Sequence, residues 1–114
     1  MTISSEQLRI CQKYGARPLD SPPQKKAGVA ANVRSDVVPV NGLRHPPEED
    51  TSGWYLWAGE ELSSDPEFFR PTHIAHLSEM RPEVVKYLAL PPGWRFLIAG
   101  DYEDVWYDKT LLKV

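Results

Sequence analysis

The spacing of apolar positions predicts one helix at the start of the chain. Ile10, Cys11 and Tyr14 fall on a common helical face. Ser4 stands where it can cap the first turn, Gln7 three residues later completes a capping box, and Ile3 can staple onto Leu8. Gly15 is a terminator. Residues 16–26 carry Pro18, Pro22 and Pro23 among polar neighbours and read as a loop. The apolar, β-leaning run 27–33 predicts a strand, 34–36 a turn, and 37–43 its antiparallel return. Pro39 cannot donate to a ladder, which points to an edge position or a bulge. Residues 44–52 are polar, and 53–59, dense in aromatics and closed by glycines, predict the best strand.

Helical signals follow. Asp65 before Pro66 has the order of a cap and a first-turn proline, and Pro71 ends that segment. Thr72 can cap a second segment with Ile74 and Leu77 inward, and Pro82 starts a third with Val84, Val85 and Leu88 as its core face. Pro91-Pro92-Gly93 predicts a tight turn with Gly93 at positive φ. Residues 94–99 and 104–108 then flank 100–103 as a hairpin. The expected fold is α+β: one antiparallel sheet of about five strands, an N-terminal helix, and a helical insertion before the C-terminal hairpin.

At 114 residues, with 41% apolar and 25% charged side chains, the chain has the size and composition of one soluble domain. The expected division is 1–26 for the helix and proline-containing loop and 27–114 for the sheet core. Nothing approaches the roughly 20 apolar residues of a membrane span. Residues 1–6 lack the basic start and apolar block of a signal peptide. A lone cysteine makes no internal disulfide, so the expected compartment is the cytoplasm.

Charge divides the chain. Residues 1–45 hold seven Lys and Arg against three acids, a net of +4, while residues 46–114 hold six against thirteen, a net of −7. Such a field repels nucleic-acid phosphates and attracts a basic partner. An ordinary solvated acidic face, kept for solubility, explains the same charges equally well.

Candidate chemistry is sparse. His73 and His76 lie on one side of a helix, and with Glu79 they could supply three ligands to a divalent metal. No distant fourth ligand accompanies them, and the spacing is not the zincin pattern. Cys11 on an apolar stripe reads as a small core residue. There is no nucleophile elbow and no phosphate loop, so no catalytic residue and no cofactor is expected. Trp54, Tyr55 and Trp57 cannot share one face of a strand. If only one face is packed, large rings beside Glu60 and Glu61 would suit a protein-binding patch; if both are covered, all three rings are core.

Gly42-Leu43-Arg44-His45-Pro46-Pro47, the block from Thr51-Ser52-Gly53-Trp54 to Gly59-Glu60-Glu61, and Pro82-Glu83-Val84-Val85 running on to Pro91-Pro92-Gly93-Trp94 together resemble a bacterial family. It is the group numbered thirty-three among the polymorphic-toxin immunity families, related to a domain of unknown function. Its hallmark is a Ser-Gly-Trp strand, a Gly-(Asp/Glu)-Glu segment, helices, a Pro-x-Gly turn and a final hairpin. The resemblance implies a non-catalytic protein that binds and neutralises a cognate toxin. The charge distribution adds that the toxin is basic, such as a nuclease, and that Trp57, Glu60, Glu61, Asp101, Glu103 and Asp104 form the partner-binding surface. The alternatives are a small-molecule-binding or regulatory module and a metal-dependent hydrolase built on His73 and His76.

Overall fold

The computed structural model describes residues 3–60 and 67–113. Helix α1 (Ser5–Tyr14) begins with the expected capping box: Ser4 Oγ accepts from Gln7 N at 3.1 Å, and Gln7 Oε1 accepts from Ser4 N at 2.9 Å. It ends at Gly15, whose φ of +71° lets its N–H reach back to the last turn. Cys11 is buried against the Ala89 carbonyl, and burial pushes its thiol up.

The strands are β1 (Lys26–Ala30), β2 (Val40–Arg44), β3 (Thr51–Ala58), β4 (Phe69–His73), β5 (Trp94–Ala99) and β6 (Tyr102–Tyr107), arranged in the order β4-β1-β3-β2-β5-β6. Between β4 and β5 lie a 3-10 turn (Ile74–His76), α2 (Leu77–Met80) and a 3-10 helix (Pro82–Tyr87). The α+β class, the N-terminal helix, the helical insertion and the closing hairpin are all borne out. Among the described residues the sheet has six strands rather than about five, and one pair, β1 with β3, runs parallel.

Two sequence readings are corrected. The predicted hairpin of 27–33 with 37–43 does not form. Residues Ala31–Arg34 turn as a 3-10 helix, and the Asn32 side chain grips the end of β3, donating to Ala58 O at 2.7 Å and accepting from Ala58 N at 3.1 Å. The chain is thereby carried past β3, and β2 pairs on its far side. The second correction concerns 69–73, expected around a helix stop. Those residues are β4, which zips onto β1 from Lys26↔His73 to Ala30↔Phe69. Pro71 is tolerated because β4 is an edge strand. The Asp65-Pro66 start signal lies outside the described residues.

Cross-strand register sorts the side chains. Trp54, Leu56, Val40, Arg44 and Phe96 share the face that the helical segments cover, where Tyr87 stacks on Phe96 with ring centroids 4.7 Å apart. Leu43, Asn41, Tyr55, Trp57 and Leu97 share the other. Among the described residues no helix is long and apolar enough to cross a membrane.

Arg44, only 1% exposed, sits in the covered face with no acidic side chain in contact among the described residues. Its fork donates to Ser52 O, Leu19 O, Leu90 O and Asp20 O at 2.8–2.9 Å, and to Leu88 O at 3.4 Å. The guanidinium also lies 5.6 Å from the Trp54 ring. Burial lowers its pKa to about 10, against a partial opposing effect of Asp20, so it stays charged at neutral pH. Gly53 makes the close packing possible: at φ +91°, a Cβ there would meet the His45 carbonyl oxygen at 1.9 Å.

A lysine gathers its three donors on a single nitrogen, where this site needs donors spread over a planar fork. Arg44→Lys should lower the unfolding free energy by about 3 kcal/mol, because several buried carbonyls lose their donor together. Urea denaturation followed by tryptophan fluorescence measures this.

Candidate partner-binding surface

Ala58, Val40, Ile98 and Glu103 form one row across β3, β2, β5 and β6. Beyond that row the sheet ends in Glu60, the loop 35–39 and the Gly100-Asp101 turn. A cleft of about 290 Å³ opens there, lined by Val38, Arg81, Lys86, Tyr87, Asp101 and Tyr102 among others.

Arg81 holds one wall of the cleft. It donates to Ser35 O at 2.6 Å, Val37 O at 3.1 Å and Val33 O at 3.2 Å, while its Nε pairs with Glu83 at 2.6 Å. Burial would raise the Glu83 carboxyl, but hydrogen bonds from Arg81 and from its own main chain, with the Arg81 charge, hold it below its ordinary value. The pinned loop presents Val38, 52% exposed, at the mouth of the cleft, and Tyr102, 58% exposed, stands on the opposite wall.

Glu103 closes the inner end. Its carboxylate accepts from Lys13 Nζ at 2.9 Å, from Tyr87 Oη at 2.5 Å, and from Tyr14 Oη. Burial opposes the charged form, yet the Tyr14, Tyr87 and Lys13 bonds outweigh it and hold the carboxyl down at about 2. Burial and the same carboxylate push the Tyr87 hydroxyl up. One side chain of β6 thus ties α1 and the 3-10 helix Pro82–Tyr87 to the sheet.

The residues expected at a partner surface are distributed as follows. Glu60 and Asp101 are exposed at this end of the sheet. Asp104 is exposed on the opposite face from Glu103, in one row with Leu97, Asn41 and Trp57. Glu103 faces inward and its oxygens are engaged by internal donors. Trp57 is buried, 4% exposed, with its indole N–H unpartnered among the described residues. Glu61 lies outside the described residues. Sequence reasoning missed Val38, Tyr102 and Arg81. The run Val37-Val38-Pro39 was the available signal, since exposed apolar residues against a proline fit a loop as well as a strand.

A second concave region surrounds Tyr55 on the face away from the helices. A hollow of about 330 Å³ lies among Lys26, Asp50, Phe69 and Pro71, and one of about 180 Å³ among Leu43, His45, Trp57 and Phe69. His73 and His76 sit with ring centroids 5.7 Å apart. Among the described residues no three His, Cys, Asp or Glu side chains are grouped to hold a metal ion.

The Glu103 cluster makes stability depend on acid. A carboxyl at about 2 in the fold, against an ordinary 4.5, contributes stability that is complete above pH 4.5 and lost as pH falls toward 2. With the side chain 17% exposed, the contribution is on the order of 3 kcal/mol. Glu103→Gln should lower stability at pH 7 by a similar amount and flatten its dependence between pH 5 and 2, read from denaturation midpoints across that range.

The Imm33-like domain family matches residues 6–108. Neither a curated protein nor a solved structure matches the chain. The match runs from the first turn of α1 to the residue after β6, taking in both the sheet and the cleft, and the chain therefore belongs to the Imm33-like domain family.

Proposed function

We propose that this protein is a cytoplasmic immunity factor that binds a cognate toxin and blocks it by occlusion, without chemistry of its own. Membership of an immunity-type family supports a toxin as the partner. The observation that carries the surface is the end of the sheet beside the cleft. There the apolar side chains of Val38 and Tyr102 stand exposed on walls fixed by Arg81 and Glu103. Rigid apolar anchors inside a charged rim are the usual anatomy of a binding patch, because they desolvate on contact with little ordering cost.

The rim sets the sign of the partner. Glu60, Asp101 and Asp104 are exposed, and none forms an ion pair among the described residues. Together with the net −7 of residues 46–114, they favour a basic toxin, a nuclease being one such class. Trp57 lies on the opposite face of the sheet from the cleft, in the row of Asp104, and supports this end as a buried side chain. Glu103 belongs to it as the group that positions Tyr87 in the cleft wall. The same negative field disfavours nucleic acid as a direct ligand.

The test is co-purification with the toxin-like product of the adjacent gene. The wild-type protein is expected to capture it and abolish its activity. The triple variant Glu60→Lys, Asp101→Lys, Asp104→Lys should slow association at least tenfold at low salt, an effect that fades as salt is raised. Capture with unchanged rate and salt dependence would remove these acids from the interface.

A further inference from the structure

Each edge of a sheet offers a row of unpaired main-chain groups, and proteins ordinarily blunt such edges. Here the two edges differ. β4 carries Pro71 at its centre, which removes a donor, and Arg70 beside it. β6 holds six unbroken pairs with β5, from Trp94↔Tyr107 to Ala99↔Tyr102, and contains no proline, bulge or lysine.

The register says which groups point outward. Asp108 N donates to Gly93 O at 2.6 Å, so 93 and 108 are a hydrogen-bonded pair. Alternation along the ladder then makes 95/106, 97/104 and 99/102 bonded pairs, the last closing the two-residue turn. The main-chain N–H and C=O groups of Glu103, Val105 and Tyr107 consequently face away from β5. Among the described residues none of the six takes part in another hydrogen bond.

The charge along this edge has one sign. Residues 101–108 hold Asp101, Glu103, Asp104 and Asp108 and no Lys or Arg. Lys13 and Arg95 meet two of these acids from neighbouring elements, and among the described residues Asp101 and Asp104 form no ion pair. A second copy of the chain would set these acids against their own counterparts, which opposes self-pairing. The same acids complement a strand rich in lysine or arginine. Tyr102 and Tyr107, 58% and 51% exposed, flank the row and can cover an added strand.

We propose that the edge of β6 receives an extended basic segment of the toxin as a seventh, main-chain-paired strand. This inference rests on the toxin-binding reading and names the chemistry of the segment bound. It adds a mode of recognition: the main chain supplies affinity, and the acids select sign.

Amide hydrogen exchange of the 15N-labelled full chain tests it. The probe is a ten-residue peptide of alternating Lys and Val; the controls are its Glu-Val counterpart and a Lys-Val peptide with a central proline. Exchange at Glu103, Val105 and Tyr107 should slow at least tenfold with the first peptide and not with the controls, and Asp104→Lys should weaken the effect. Unchanged exchange at these three amides with the Lys-Val peptide would overturn the proposal, as would equal protection by the Glu-Val peptide. The same measurement on the toxin complex separates the two readings. A complex whose three edge amides still exchange as in the free protein defeats strand addition and leaves toxin binding standing. Edge protection by the Lys-Val peptide, with no capture of the toxin, defeats the toxin as partner and leaves the edge as an acceptor of basic strands.

Discussion

A buried charge with no carboxylate in contact among the described residues governs this fold. Arg44 lies beneath the helical layer and is solvated by carbonyl dipoles, drawn from the loop before β1, from the start of β3 and from the chain after the 3-10 helix Pro82–Tyr87. Those segments are far apart in sequence and have no ladder in common. Each must reach the guanidinium at hydrogen-bond distance, because an unsatisfied buried cation costs far more than any one contact returns. Trp54 reinforces the junction, its indole N–H donating to Ser21 Oγ at 3.0 Å and Leu88 O at 3.2 Å. Arg81 uses carbonyls in a similar way at the other end of the sheet, binding those of Val33, Ser35 and Val37 while its Nε pairs with Glu83, and so helps to shape the loop before β2.

Between these two pins the molecule separates support from display. The covered face is apolar and ringed with hydrogen bonds to main chain. The exposed end carries acids that form no ion pair among the described residues, while Glu103 turns its charge inward on Lys13, Tyr14 and Tyr87. Neighbours in sequence therefore do opposite work: Glu103 anchors α1 and Asp104 stays in solvent. Alternation along a strand is sufficient to produce that division.

Local signals are legible in the sequence because they are satisfied locally. The Ser4–Gln7 box, the Gly15 stop, the aromatic strand around Trp54, the Gly93 turn at φ +94° and the last hairpin each need only a few adjacent residues. What escaped was long-range. The parallel pairing of β1 with β3 is accompanied by the Asn32 grip on Ala58, a contact that spacing does not encode. β4 hid behind Pro71, whose meaning reverses once the strand lies at an edge. Arg44 and Arg81 counted as two positive charges among thirteen, when their work is to bind carbonyls inside the protein. For the surface, the sign of the charge was legible and the orientation of each side chain was not: Trp57 turned out buried and Glu103 inward-facing.

The crossing of the chain past β3 also dictates an order of assembly during synthesis. β1 emerges first, yet both of its neighbours are encoded later, β3 beyond residue 50 and β4 near residue 70. β2 waits longer still for β5, which follows the entire helical insertion. A ribosome that has released only the first fifty residues therefore holds β1 and β2 before any strand they pair with. Topology of this kind makes folding slow relative to local helices and hairpins.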